Sequence, residues 1–315
     1  MDLLSSILDQ MKLAGTLYFR TEFTAPWGVE VPRFKNVSRF HFVHRGRATV
    51  RIEGSDSAVS LDQGDLIIIT RGASHILADD PDTPAETVDE IVTRSGFKGV
   101  GALVYGSHDA GHETQLICGH FAFDPEANHP LLDALPAFIL IRQDAVLSDQ
   151  WLDSTLRGIA AEAGRGSPGG DLIAHKLSEI IFAQAVRSHL RSEGQERSVL
   201  AAFANPAICR VLETLHKNAS QNWTLEEMAQ IAGMSRTVFA ERFSRSMSMT
   251  PMAYLTHWRM QLARRYLRET EMAVIEVAEQ SGYSSEASFS RVFKKQFGTP
   301  PGLYRRRMRT EMTGA

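Results

Sequence analysis

Among the first 120 residues, His41, His75, Cys118 and His120 are of types that bind metals or relay protons. Strand side chains alternate between faces, so in RFHFVHRG an inward Arg39 brings His41 and Val43 inward with it. In LICGHF, Cys118 and His120 share one face and Ile117 and Phe121 the other. Imidazole nitrogens with a thiolate sulfur suit zinc, so one expectation is a zinc site built from these four side chains. The same residues admit plainer readings. His41 fits a hydrogen-bonded core histidine, Cys118 a small buried hydrophobe, and His120 an exposed residue. A small-ligand pocket needs no metal, and a structural barrel that holds a dimer together needs no ligand.

Residues 16 to 145 must position this cluster, and they read as short strands. Stretches such as ATVRI and DLIIIT are broken by EGSDS, LDQGD and the acidic DDPDTPAETVDE, the last expected as an exposed loop. Many short strands indicate a sandwich or barrel, and the opening LLSSILDQM has helical spacing suited to packing across its outside. From Leu147 the pattern becomes helical, with WLDSTLRGIAAEAG, a turn at GRGSPGG, then DLIAHKLSEIIFAQAVRSHLR. In that last helix Leu172, Ile173, Lys176, Leu177, Ile180, Ile181 and Gln184 lie near one face, and the broad apolar surface predicts a homodimer built on residues 172–190. SEGQERS then reads as a linker, and the chain after Asn205 as helical.

The C-terminal third repeats itself. GMSRTVFAERFSRSMSMTP (233–251) matches GYSSEASFSRVFKKQFGTPP (282–301). Each copy is a short helix with alanine, a turn glycine, a serine able to cap (Ser235; Ser284 or Ser285), a second helix, then proline. Two helix–turn–helix units joined by PMAYLTHWRMQLARRYLRE can enter successive major-groove faces, about 34 Å apart along the duplex. Charge agrees: from Asn205 onward there are 16 Lys+Arg against 10 Asp+Glu, and 18 against 27 in the remainder, so a basic third sits on an acidic body.

WTLEEMAQIAGMSRTVFAERF, TPMAYLTHWRMQLARRYL and VAEQSGYSSEASFSRVFKKQFGTPPGLYRR resemble the DNA-binding domain of the AraC/XylS family of transcription regulators. The resemblance implies a seven-helix domain that binds promoter DNA near RNA polymerase. Carried over by position, the first reading helix offers Arg236, Thr237, Ala240, Glu241 and Arg242; the second offers Ser285, Glu286, Ala287, Ser290 and Arg291. Arginine pairs bidentately with guanine and glutamate accepts from cytosine, whereas Lys294, Lys295 and Arg305 to Arg307 suit phosphates. Glu241 and Glu286 serve equally well as ion-pair partners of nearby arginines. Phe239, Phe243, Phe289, Phe293 and Trp258 are expected in the core.

GDLIIITRGASH (64–75) is similar to the second cupin signature, with Thr70 where proline is usual and His75 at a ligand position. RFHFVHRG resembles the end of the first cupin signature, with Arg39 in place of the usual glutamate, and the usual upstream histidine pair is missing. The eroded metal set weakens the alternative of a cupin-type metalloenzyme, an oxygenase or isomerase with a regulatory helical tail. The expected fold is α+β and multidomain: an N-terminal β-barrel (cupin jelly roll, 1–146), a helical linker or dimerisation segment (147–197) and a C-terminal all-α domain (205–310) with two helix–turn–helix units. The expected function is a cytoplasmic, non-enzymatic, DNA-binding regulator that senses a small molecule, metal or oxidant. MDLLSSILDQMKLAG has no basic n-region and does not read as a signal peptide. Two cysteines are too few for a secreted disulfide framework.

Overall fold

A computed structural model describes residues 2–55, 57–99, 101–106, 111–162, 167–192, 203 and 205–313. They divide into two compact units. One comprises residues 12–126 and 135–192; the other comprises residues 2–11, 127–134 and those from 203 onward.

The first unit is a two-sheet jelly roll whose sheets do not close on each other. A six-stranded sheet runs in the order β11 (Phe138–Ile141), β6 (Leu66–Ile69), β3 (Val37–Arg45), β10 (Glu113–Ala122), β1 (Ala14–Thr24), β9 (Ala102–Gly106). A five-stranded sheet runs β5 (Val59–Asp62), β4 (Arg47–Ile52), β7 (His75–Ala78), β2 (Gly28–Val31), β8 (Glu86–Thr87). β3 turns at Gly46 into β4 and so passes from one sheet to the other. Val29, Val43, Val50, Ile67, Leu77, Leu103 and Leu116 fill the space between. Thr70, standing where the cupin signature has proline, uses what proline would lack. Its N–H donates to Ala137 O at 3.2 Å, and its hydroxyl donates to the Pro136 carbonyl.

The outer face of the six-stranded sheet is apolar as well. Phe40 and Phe121 stack at 5.0 Å, and Phe121 meets Phe182 of α6 (Gly170–Ser192) at 4.9 Å. α6 buries Ala174, Ser178, Ile181, Phe182, Ala185 and Val186. The face expected to form the apolar surface is therefore turned partly outward, with Leu172 64%, Ile173 46% and Ile180 45% exposed. With α4 (Gln143–Ser148) and α5 (Gln150–Glu162), α6 belongs to the sheet unit rather than forming a free linker. Residues 193–197 of the expected linker lie outside the described residues. The acidic stretch is only partly a loop. It ends in β8 and in α2 (Val88–Ser95), an unexpected helix started by a Thr87–Glu90 capping box.

From Pro206 the second unit has seven helices: α7 (Pro206–Lys217), α8 (Leu225–Ala232), α9 (Arg236–Met247), α10 (Pro251–Glu269), α11 (Val274–Gln280), α12 (Glu286–Phe297) and α13 (Pro301–Thr313). Thr224, Ser235, Thr250 and Ser285 cap the starts of α8, α9, α10 and α12. Phe239, Phe243, Tyr254, Trp258, Phe289, Phe293 and Tyr304 are buried. α10 has 19 residues, about 28 Å at 1.5 Å per residue.

The N-terminal helix α1 (Leu3–Gln10), expected to pack with the barrel, belongs to this helical unit. Gln10 Nε2 donates to Gln261 O at 2.9 Å, and Asp9 pairs with Arg265 at 2.5 Å. Residues 127–134 join the same unit through a directional chain of hydrogen bonds. The Leu131 N–H donates to His129 Nδ1 (3.1 Å), which leaves the proton on Nε2 to donate to Tyr254 Oη (3.0 Å). Tyr254 then donates to His216 Nε2 (2.7 Å), His216 Nδ1–H donates to Ser6 Oγ (2.6 Å), and Ser6 donates to Leu3 O (2.9 Å). His216 also stacks flat on Trp258, with centroids 3.6 Å apart.

Candidate effector cavity and DNA-reading surface

β3 and β10 are antiparallel neighbours in which Cys118 faces His41 and His120 faces Arg39. His75 enters from β7 in the opposite sheet, where it pairs with Val31 and Ile52. The three inner residues meet: His41 Nδ1 lies 3.2 Å from Cys118 Sγ, and His41 Nε2 lies 2.9 Å from His75 Nε2. His75 Nδ1 lies 2.9 Å from Ala73 O.

That carbonyl can only accept, and this orients the whole chain. His75 Nδ1 must carry a proton, so its Nε2 accepts from His41 Nε2–H. His41 Nδ1 is then an acceptor, and Cys118 must donate its S–H. Burial lowers His75 to about 4 and pushes the Cys118 thiol up to about 12. Burial first, then His75 and Arg39, holds His41 well below the usual histidine range. Both imidazoles are neutral and Cys118 is a protonated thiol.

The expected zinc site does not fit this arrangement. His41 spends opposite ring nitrogens on Cys118 and His75, so none of its lone pairs can face an ion that both others reach. His120, expected to complete the set, is half-buried beside Arg39 and lies outside the hydrogen-bonded trio. Among the described residues no group of three or more His, Cys, Asp or Glu side chains is placed to hold a metal. Oxidation requires thiolate character, which burial and the S–H donation both oppose.

His41 and Cys118 border a cavity of about 220 Å³ that is also lined by Thr21, Phe23, Val29, Val31, Pro32, Phe34, Arg39, Leu77, Val88, Asp89, Leu103 and Leu116. Half of the lining residues come from β1, β2, α2 and β9, which carry no motif and gave no sequence signal. Arg39 gave one, as the departure from the cupin glutamate.

Cys118→Ala is expected to strand His41 Nδ1 without a donor and to cost about 1–3 kcal/mol. Cys118→Ser, which restores a donor, should recover most of the loss in urea unfolding. Equal stability of the two variants would contradict the hydrogen-bond direction derived above.

In the helical unit, Arg236, Thr237, Glu241 and Arg242 on α9 are exposed and Ala240 is half-buried, while Phe239 and Phe243 form the buried back of the helix. On α12 and its cap, Ser285, Glu286, Ala287, Arg291, Lys294 and Lys295 are exposed and Ser290 is half-buried, over buried Phe289 and Phe293. Val238, 41% exposed on α9, is an apolar member of this surface that charge-based reading passes over. Its methyls suit contact with a thymine methyl.

A family profile described as a cupin matches residues 2–191, and one described as a helix-turn-helix domain matches residues 228–307. The chain is 32% identical over 311 residues to a protein of Streptomyces lividans described as an AraC-like transcription regulator, covering 97% of this chain and 98% of that protein. The chain belongs to the AraC family. It is also 29% identical over 308 residues to the HTH-type transcriptional regulator AlkR of Acinetobacter baylyi, covering 97% of this chain and 99% of that protein. Over 203 residues it is 30% identical to the RCS-specific HTH-type transcriptional activator RclR of Escherichia coli, covering 64% of this chain and 72% of that protein. These relatives are regulators, and the chain is a DNA-binding transcription regulator with a cupin-like N-terminal domain rather than an enzyme. No helix among the described residues is long and apolar enough to cross a membrane.

Proposed function

We propose that this AraC-family regulator reads two successive major-groove segments of promoter DNA with α9 and α12, under the control of a small molecule held in the cavity beside His41 and Cys118. The observation that carries the reading is the paired design of α9 and α12. Each is serine-capped, aromatic on its buried side and basic on its exposed side, with Arg236 and Arg242 on α9 and Arg291, Lys294 and Lys295 on α12. Arg236 and Arg291 are assigned to base edges, with Thr237, Glu241, Glu286, Ser285 and Ser290 beside them. Lys294 and Lys295 are assigned to phosphates, which set register without reading sequence. The largely apolar cavity lining and the protonated thiol favour a small-molecule effector over a metal or an oxidant. A cytoplasmic location and contact with RNA polymerase follow from the family reading.

The full chain is the proper test material, because α1 and residues 127–134 pack in the helical unit. In gel retardation with duplexes from its neighbouring promoters, affinity should fall steeply with salt as counterions are released. Arg291→Ala should cost about 1–3 kcal/mol on the preferred site and relax specificity there, whereas Lys295→Ala should weaken all sequences alike. Failure to retard any such duplex at low salt would remove the reading. The protein is further assigned as a homodimer through Leu172, Ile173 and Ile180. Light scattering should give a dimer for the wild type and a monomer for Ile180→Asp, and a monomeric wild type rejects the interface.

A further inference from the structure

The cavity has a mouth and a floor of different chemistry. Phe34 and Asp89 at the mouth are exposed, whereas Phe23, Leu103 and Leu116 further in are buried. Arg39 lies between them in character: it is a cavity-lining guanidinium only 7% exposed, 4.5 Å from the Phe34 ring centroid. The position at which the related signature carries a carboxylate, suited to a cation, here carries a fixed cation. Asp89 is the one acid among the described lining residues. It is exposed on the first turn of α2, where solvent screens its field more than that of the buried Arg39.

We propose that the cavity binds a small amphipathic carboxylate, its apolar body against Phe23, Leu103 and Leu116 and its carboxylate on Arg39. A guanidinium engages a carboxylate through two parallel N–H bonds, and low local dielectric strengthens that pair. The apolar floor supplies affinity for a hydrocarbon or aromatic body and excludes strongly hydrated anions such as phosphate. This inference rests on the reading of the cavity as the effector site.

The test is calorimetric titration of the full-length protein near neutral pH with octanoate and phenylacetate, and with their neutral counterparts octanamide and phenylacetamide. At least one acid should bind, at least about tenfold more tightly than its amide. Arg39→Met, which keeps the apolar stem and removes the charge, should erase that preference, and Arg39→Lys should retain it, with folding of both checked by circular dichroism. Should Arg39→Met fail to fold, the wild-type comparison of acid with amide and the Arg39→Lys result decide. The proposal is overturned if amides bind as well as acids, if neither acid binds at about 1 mM, or if folded Arg39→Met keeps the acid preference. Gel retardation separates the two claims. An acid that binds through Arg39 without altering DNA binding sinks the effector reading and leaves the ligand class standing. An amide that binds as well as its acid and alters DNA binding does the reverse.

Discussion

Replacing Arg259 by methionine is expected to uncouple the two DNA-reading halves, at a cost of about 2–3 kcal/mol in stability and a larger loss on sites that need both halves. Arg259 sits on α10, the helix between the halves, and is 9% exposed. Its Nε donates to Ala219 O and an Nη to Gln221 O, both at 2.7 Å, in the turn before the first helix–turn–helix unit. The same guanidinium lies against Gly282 of the second helix–turn–helix: a Cβ built there would meet Nη2 at 2.7 Å, Cζ at 2.8 Å and Nε at 2.9 Å. One side chain thus ties the turn before the first helix–turn–helix to the shared helix and packs against the turn glycine of the second. The methionine stem keeps the packing but leaves two carbonyls without their charged donor.

The same geometry separates two glycines that look equivalent. Gly233 and Gly282 both hold positive φ, 67° and 77°. Around Gly233 nothing lies within 4 Å of an added Cβ, so Gly233→Ala should cost only the left-handed strain, about 1 kcal/mol. Gly282→Ala adds a collision with the guanidinium and should cost clearly more. Thermal unfolding of both alanine variants, with retardation of full and half sites by Arg259→Met, checks this. Equal losses at the two glycines, or unchanged full-site binding by Arg259→Met, would refute the coupling.

The second large effect is an acid instability of the helical unit. The hydrogen bonds from Leu131 to Leu3 require neutral His129 and His216. A proton added to His129 Nδ1 would face the Leu131 N–H, and one added to His216 Nε2 would oppose the Tyr254 hydroxyl. Burial lowers His216 from its ordinary 6.5 to about 3, and burial first, then His216 and His257, holds His129 well below the usual range. A histidine whose folded pKa is depressed binds its proton more readily unfolded. Its stability contribution is therefore complete above about pH 6.5 and lost as pH falls from there towards the folded value. For His216 alone the loss should reach about 2 kcal/mol by pH 5, at about 1.4 kcal/mol per pKa unit. Urea unfolding of the wild type between pH 7.5 and 5 should show the decline, and a His129→Asn, His216→Gln double variant should be less stable at pH 7.5 but flatter across the range. An equal slope in both proteins would dismiss the role of the pair.

Local chemistry decided what could be read without coordinates. Ser235, Gly233, Ser285 and Gly282 act on backbone groups within a few residues, so caps and turns were legible, and the doubled pattern with them led to the family. Alternation along β3 and β10 placed His41 and Cys118 on an inner face, because a strand's period depends on nothing beyond the strand. What the tertiary structure alone decided depends on partners far apart in the chain. Cys118 is a thiol donor rather than a metal ligand because the Ala73 carbonyl orients a proton chain through His75 and His41, across two sheets. The helix α1 joins the helical unit because Ser6 meets His216, 210 positions away, and an amphipathic pattern states that a face must be buried but not against what. Gly233 and Gly282 differ only because a guanidinium from another helix lies against one of them. Half of the cavity lining comes from β1, β2, α2 and β9, whose apolar residues carry no mark of function until the fold brings them around Arg39.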